Sequence, residues 1–379
     1  MRVLLSSASF SRAYGGPAYS VSRLGLALAT EGLEVGLWAP DDSAELARSL
    51  WPDPSPERAP DCLRGSLGHA LKVFGGVDVI HDSGLWRRHN HLLARQAAER
   101  RVPRIVSTRG MLEPWAIGHK RGRKFLGWHL YQRRDLMAAQ AVHVTSDAEA
   151  DNVHIRNLKR PVWLLPNGID LPRENQTAFQ GDPLAPRRAV FLGRLHPVKG
   201  IPELLEAWSR AKPRGWELLV AGPDEKGYRA VIEAAVARLG LVESVNLIGE
   251  VASSEKAALF RSAEILILPS HSESFGMVVG EALAYGLPVI TTTSVPWPQL
   301  TTARCGWRVA PEASAIASAL SEVLVKPRGE LAEAGRRGRE LVARELTWNA
   351  IGEAFHKRYL DALSGRKAHA NGSPPTLGL

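Results

Sequence analysis

Cysteine is scarce in this chain: Cys62 and Cys305 are the only two in 379 residues. Two thiols make neither a disulfide framework nor a metal-ligand spacing, so a reducing cytosol is the expected compartment. No apolar run approaches the roughly 20 residues that span a bilayer. The opening Met-Arg-Val-Leu-Leu-Ser-Ser reads as a short strand, because its apolar run is too brief for a signal peptide. No two aspartates are separated by a single residue. That lack argues against a metal–diphosphate site of the Asp-x-Asp kind, and no metal site is expected. Helix-turn-helix, RNP-like and zinc-finger patterns are missing too, so nucleic acid is not an expected partner.

What is present is ordinary in amount and uneven in placement. Apolar residues make up 45% and charged residues 23%, which suits a soluble globular protein. The length suggests two domains rather than one. The net charge is +9, and residues 101–134 hold nine cations against the single Glu113. Nearly all the net charge therefore sits in one segment, with Trp115, Phe125, Trp128 and Tyr131 interleaved. A solvated helix face is the plain explanation. Attraction to an anionic membrane surface or to an acidic acceptor is the functional one. At helical spacing Phe125 and Trp128 are expected near one another, beside Arg121 and Lys124.

Short apolar runs alternate with helical patterns throughout. Strands are expected at Val3–Ser6, Glu34–Trp38, Val77–His81, Arg104–Ser107, Ala141–Thr145 and Val162–Leu165, and a helix at Pro17–Thr30. Ser146 with Glu149 forms a capping box. Residues 171–186 are polar and linker-like, and a second series then begins: Ala189–Leu192, Glu217–Ala221, Val245–Ile248, Ile265–Leu268 and Val289–Thr292. Strands alternating with helices imply βαβ units and parallel sheets. The expected fold is α/β, two facing Rossmann-like domains with a cleft between them. The first spans 1–166 and the second 167–345. The amphipathic segment 346–363 follows, and 364–379 reads as a disordered tail.

The most informative stretch is Glu273-Ser-Phe-Gly-Met-Val-Val-Gly-Glu281. It follows the apolar run Ile265–Leu268 and opens a helix at about Met277. Phe275, Gly276 and Met277 thus place backbone N–H groups at a helix N-terminus, a ready anion site between two carboxylates. Gly193-Arg194-Leu195-His196-Pro197-Val198-Lys199-Gly200 also lies between a strand and a helix, and its two cations can aim at one spot. Alone, each would read as two ordinary glutamates or two surface cations. Together they resemble the donor-binding signatures of the family 4 retaining glycosyltransferases of GT-B architecture. The likeness covers nearly the whole chain and is strongest from Phe191 to Pro288.

That resemblance carries implications residue by residue. Arg194, Lys199 and Glu273 would be catalytic, the cations holding the leaving diphosphate and Glu273 the sugar hydroxyls. Glu281 would hold the ribose diol, and Phe275, Gly276, Met277 and Val278 the phosphates. Gly15 and Gly16, in the turn Tyr14-Gly-Gly-Pro17, would close over the diphosphate, with Gly193 beside it. Glu250 and Val251, ending another strand, would pack against the base. Relatives often place a histidine near the sugar after an N-terminal strand. Here Arg109 takes that place, in Arg-Gly-Met-Leu-Glu-Pro-Trp, and His81 and His119 are the other candidates for the acceptor or sugar side. This run resembles bacterial enzymes that build cell-surface polysaccharides. The final helix would cross back onto the first domain.

The expected activity is metal-independent, retaining transfer of a hexose from a UDP- or GDP-linked sugar, with no further cofactor. The acceptor would be a glycan, lipid-linked, met on the inner face of the cytoplasmic membrane. A sugar-nucleotide epimerase of the same fold and a catalytically dead nucleotide-sugar-binding protein remain the alternatives. A glycan phosphorylase would need a pyridoxal-phosphate lysine context, and none is seen.

Overall fold

A computed structural model describes residues 1–52, 57–118, 121–173 and 186–364. The chain divides into two compact units, Met1–Gly168 with the segment from Leu346, and Ile169–Glu345. The first runs β1 (Arg2–Ser6), α1 (Gly16–Thr30), β2 (Glu34–Trp38), β3 (Asp61–Leu63), α2 (Leu67–Val73), β4 (Val79–Ser83), α3 (Arg88–Arg100), β5 (Arg104–Ser107), α4 (Pro114–Gly118), α5 (Arg121–Gly127), α6 (Arg133–Met137), β6 (Ala141–Val144), α7 (Asp147–Ile155) and β7 (Val162–Leu164). Its seven strands form one parallel sheet in the order β3-β2-β1-β4-β5-β6-β7. Central strands such as β1 bury both faces, which is why Val3, Leu4 and Leu5 run on without alternation. One core gathers Leu4, Trp38, Leu71, Phe74, Ile80 and Leu93. Another gathers Val106, Leu136, Val142, Val144 and Val153.

The strand expected at Val77–His81 lies two residues later, at Val79–Ser83. Asp82 explains the shift. Its buried carboxylate accepts hydrogen bonds from Ser6 Oγ (3.1 Å), Asn90 Nδ2 (2.8 Å) and Arg104 Nη2 (2.7 Å). A buried charge paired this fully lets the polar end of the strand stay in the sheet. The three-residue β3 gave no pattern in the sequence.

The second unit runs β8 (Arg187–Leu192), α8 (Ile201–Ala211), β9 (Trp216–Ala221), α9 (Tyr228–Arg238), β10 (Val245–Gly249), α10 (Ser253–Ser262), β11 (Ile265–Leu268), α11 (Met277–Ala284), β12 (Val289–Thr292), α12 (Gln299–Thr302), β13 (Gly306–Val309), α13 (Ala313–Val323) and α14 (Arg328–Glu345). Its parallel sheet has the order β10-β9-β8-β11-β12-β13. In both sheets the strand order reverses beside the first strand, at β1/β4 and at β8/β11. Loops leaving such a reversal part to opposite sides and open a crevice at the strands' carboxyl ends.

The last helix, α15 (Trp348–Leu363), belongs to the first unit and packs on α1. Thr347 caps it, accepting from Ala350 N at 3.3 Å. Trp348, Ile351, Phe355 and Tyr359 are buried along one helical stripe. Gly352 permits the close crossing, since a Cβ there would lie 3.0 Å from the Ala27 Cβ. Among the described residues no helix is long and apolar enough to cross a membrane. Most of the expected linker, 174–185, and the tail from 365 lie outside the described residues.

Candidate functional site

In the second unit the two signature loops leave adjacent strands, β8 and β11, and are joined to each other. The first passes through a short helical turn, Pro197–Lys199, capped by His196, whose Nδ1 accepts from Val198 N at 3.1 Å. Gly200 then opens α8 with φ of 65°, and a Cβ there would come within 2.2 Å of the Pro269 carbonyl oxygen. Only glycine fits that approach. His271 N donates to Val198 O at 2.8 Å, completing the junction.

This junction brings Lys199 to Glu273. The Lys199 ammonium donates to Glu273 Oε1, and Ser270 Oγ donates to the same oxygen at 2.9 Å. Both members of the ion pair are largely shielded, with side chains 13% and 14% exposed. Three residues beyond Glu273, Gly276 turns with φ of 79° and caps α11. Trp297 fixes that turn: its indole Nε1 donates to Phe275 O at 2.6 Å, and the two rings pack 5.2 Å apart. The first amides of α11 have no partner within the helix. Glu281, a turn further along α11, accepts from Lys256 Nζ of α10 at 2.8 Å.

Arg194 is held differently. It is more than half exposed and pairs with Glu225 at 2.6 Å, while Lys199 pairs with Glu273. The two cations are thus braced by separate carboxylates. His196 between them has its pKa lowered by burial, with the charges of Arg194 and Lys199 adding to the effect against Glu225. Gly193 is locked in place because a Cβ on Gly222 would lie 1.8 Å from its carbonyl oxygen. Glu250 is exposed just past β10. Sequence reading missed Ser270, Glu225, Lys256 and Trp297. Each comes from elsewhere in the chain or carries no motif of its own.

In the first unit Gly15, with φ of 76°, caps α1, and both Gly15 and Gly16 are exposed with open space where a Cβ would stand. At the carboxyl end of β5, Arg109 is half-buried with φ of 51°. Its Nε donates to Ser83 Oγ at 3.0 Å and its Nη1 to Asn167 Oδ1 at 2.9 Å. Burial lowers the guanidinium pKa, with Glu149 opposing. Ser146 caps α7 as expected, but Glu149 does not close the capping box. Its buried carboxylate accepts instead from Thr145 N, Thr145 Oγ1, Thr108 Oγ1 and Gly110 N.

His81 does not stand at a ligand surface. It is 3% exposed, with Nδ1 bonded to Tyr359 Oη (2.6 Å) and Nε2 to Ser107 Oγ (2.7 Å). Ser107 Oγ continues to His143 Nδ1 (2.6 Å), whose Nε2 meets Leu165 O (2.9 Å). Both ring nitrogens of His81 are spent inside the core. Burial pushes the His81 pKa well below its ordinary value and that of His143 down to about 3. His119 lies outside the described residues.

The basic segment also departs from expectation. Arg104 points inward to Asp82. Trp128 packs at 6.1 Å from Trp86 and against the core, and Tyr131 Oη donates to Trp86 O at 3.0 Å. Lys124 lies over the Trp86 ring at 5.8 Å and donates to Ala116 O. Phe125 is exposed and lies against His129 at 4.7 Å. What the segment exposes is Trp115, Phe125, Leu126 and Leu130, between 54% and 68% each, beside Arg121 and Arg123.

Comparison with known proteins gives two family matches: "Glycosyltransferase Family 4" over residues 14–173 and "Glycosyl transferases group 1" over 172–340. The chain is similar to the D-inositol 3-phosphate glycosyltransferase of Segniliparus rotundus, 30% identical over 244 residues, 60% of this chain and 48% of that protein. It is also similar to the GDP-mannose:cellobiosyl-diphosphopolyprenol alpha-mannosyltransferase of Xanthomonas campestris, 26% identical over 63% of each chain. The chain therefore spans about half to two thirds of the length of these curated relatives. Among solved structures, the sucrose-phosphate synthase of Thermosynechococcus elongatus superposes with a TM-score of 0.73 at 22% identity, covering 96% of this chain and all of that one. The fold is thus GT-B, two Rossmann-like sheets with a returning C-terminal helix.

Proposed function

Because this chain belongs to glycosyltransferase family 4, we propose that it transfers a hexose, with retention, from a nucleoside-diphosphate sugar to a glycan acceptor. The acceptor is lipid-linked and the product a cell-surface polysaccharide. The observation that carries this reading is the junction of the β8–α8 and β11–α11 loops. It sets the Lys199–Glu273 pair beside the capped start of α11, with Glu281 a turn inside. Glu273 holds the sugar hydroxyls and Glu281 the ribose diol. Phosphate sits between them on the amides of Phe275, Gly276, Met277 and Val278. Gly193 gives the phosphates room, and Gly15 and Gly16 approach the diphosphate. Glu250 and Val251 meet the base.

In the transfer, the bond from the anomeric carbon to the diphosphate breaks as a bond to the acceptor oxygen forms on the same face. The acceptor proton passes to the leaving phosphate oxygen. Negative charge grows on the diphosphate, where Lys199 and Arg194 stabilise it without rearranging, which is how such groups lower a barrier. Their charge makes a metal ion unnecessary. The protein with a panel of UDP- and GDP-sugars should release nucleoside diphosphate slowly without acceptor. An epimerase would isomerise its donor instead, and a dead binding protein would leave it intact. Either result overturns the proposal.

The exposed apolar side chains of residues 115–130 support a peripheral membrane position on the cytoplasmic face. Trp115, Phe125, Leu126 and Leu130 can enter the headgroup region while Arg121 and Arg123 meet anionic lipid. Each such cation contributes about 1 kcal/mol near the surface. Co-sedimentation should require anionic vesicles, weaken with salt and drop in F125N/L126N. Equal binding to neutral vesicles refutes the charge term, and no binding refutes the position.

A further inference from the structure

We infer that the first unit carries its own phosphate-binding subsite, built by Arg109, Arg87 and Tyr14 at the carboxyl ends of β4 and β5 and the start of α1. The inference deepens the proposed activity and rests on it: the ligand is the phosphate of the donor or of a phosphorylated acceptor.

Arg87 and Arg109 are cations outside the ion pairs of this fold. Several shielded cations of this protein sit in ion pairs: Arg104 with Asp82, Arg187 with Glu264, Lys199 with Glu273. Among the described residues, neither Arg87 nor Arg109 makes an ion pair. Arg109 bonds two neutral groups, Ser83 Oγ and Asn167 Oδ1, through Nε and Nη1. Those bonds fix the plane of the guanidinium and leave its Nη2 amine unused. Arg87 is exposed and lies over the Tyr14 ring at 5.8 Å. Tyr14 feels the positive charge of both arginines, which offsets part of the burial that raises its pKa. Arg109 holds Ser83, four residues before Arg87, and Arg87 in turn covers the Tyr14 ring, so the three side chains share one neighbourhood. A half-buried cation bonded only to neutral groups keeps part of its desolvation cost until an anion pairs it.

Arg109 is also built to hold still. Arg109 and Gly110 are consecutive left-handed residues, φ of 51° and 71°. For arginine that conformation is strained and persists only where its surroundings over-determine it. Here the buried Glu149 clamps the turn from both sides, taking Thr108 Oγ1 before Arg109 and Gly110 N after it. Glu149 acts on this reading as a positioning residue. It spends its oxygens on four donors and makes no ion pair with Arg109, and its charge offsets only part of the burial that lowers the Arg109 pKa. Fixed, fork-shaped donors of this kind match phosphate oxygens, which a lysine would meet only as a point charge.

The probe is inorganic diphosphate, titrated calorimetrically into wild type, R87Q, R109Q and R109K, each checked for an unchanged melting temperature. Losing one charge-assisted contact should weaken the binding about 10- to 100-fold. R109K should recover only part of it. Repeating the titration with saturating UDP or GDP separates the sources. Loss of the arginine-dependent binding assigns the subsite to the donor, and its survival assigns it to a phosphorylated acceptor. If the wild type does not bind diphosphate, or R87Q and R109Q bind it as the wild type does, the subsite is refuted. Should R109Q melt early, R87Q, whose side chain is exposed, decides alone. Failure of the underlying activity looks different: the wild type then neither binds a nucleotide nor hydrolyses any donor.

Discussion

Lys199 occupies a position where a structural and a catalytic role can be told apart. Replacing it with methionine removes the cation assigned to the leaving diphosphate, and it also strands Glu273, whose side chain is only 14% exposed. The first effect is kinetic. Deleting one preorganised donor to developing charge costs about 10²–10³ in rate. The second effect concerns stability. Breaking a fully buried pair by removing one partner costs about 3–5 kcal/mol. Here Ser270 still donates to Glu273 and the pair is not fully buried, so about 1–3 kcal/mol is the reasonable scale. The two effects part company in K199M/E273Q. Neutralising the stranded carboxylate should return most of the lost stability, because what cost energy was an unpaired charge. It should return none of the rate, because the diphosphate still lacks its cation. The assay pairs thermal or urea unfolding with nucleoside diphosphate release at saturating donor. If K199M turns over within about threefold of wild type, the leaving-group role is wrong, being far below the loss such a donor commands. If stability and rate recover together in the double variant, Lys199 acts only by holding Glu273 in place.

Glu281→Ala should weaken nucleotide affinity more than turnover, read as a Kd change with kcat nearly kept; the reverse split would exchange its role with that of Glu273. Lys256→Ala should weaken the same affinity less, since Lys256 only holds Glu281; a larger loss than that of Glu281→Ala would make Lys256 the ligand. EDTA should leave donor turnover unchanged, and abolition reversed by magnesium or manganese would refute metal independence. Stability should fall with acid through the buried histidines. His143 stays neutral in the fold down to about 3 against 6.5 unfolded, so its contribution is whole above 6.5 and is lost as pH falls below it. At about 1.4 kcal/mol per pH unit the loss approaches about 5 kcal/mol by pH 3; an unfolding free energy flat between pH 6.5 and 4 would contradict it.

The alternation of strand and helix was legible because central parallel strands must be apolar on both faces, and Ile265–Leu268 could be nothing else. The signature loops were legible because their glycines answer to close contacts. Gly200 faces the Pro269 carbonyl, and Gly276 turns with a φ of 79° to open α11. Partners were not legible. Glu281 with Lys256 and Arg194 with Glu225 are joined by folding across 25 and 31 positions. No local pattern records such a pairing. The aromatic spacing of the basic segment misled for a definite reason. Spacing along a helix tells which side chains are neighbours, not which of them the core takes. Here Trp128 opens a π-helical segment and packs on Trp86 and the core, while Phe125 stays exposed.

Glu149 shows where a correct local reading stops short. Ser-x-x-Glu before a helix does announce a helix start, and Ser146 does cap α7. The pattern also says that the glutamate turns back to the capping residue's own N–H. That bond is worth little at an exposed helix end. At this one, 2% exposed, the carboxylate must satisfy all its lone pairs without water, and four donors around it already need an acceptor. Those donors flank the left-handed turn at Arg109. The same carboxylate thus both meets its own need and holds an arginine in a conformation it would otherwise leave. A sequence motif reports the cheapest local use of a side chain. Burial decides whether that use survives, and the departure here lies one residue from Arg109, a cation that makes no ion pair among the described residues.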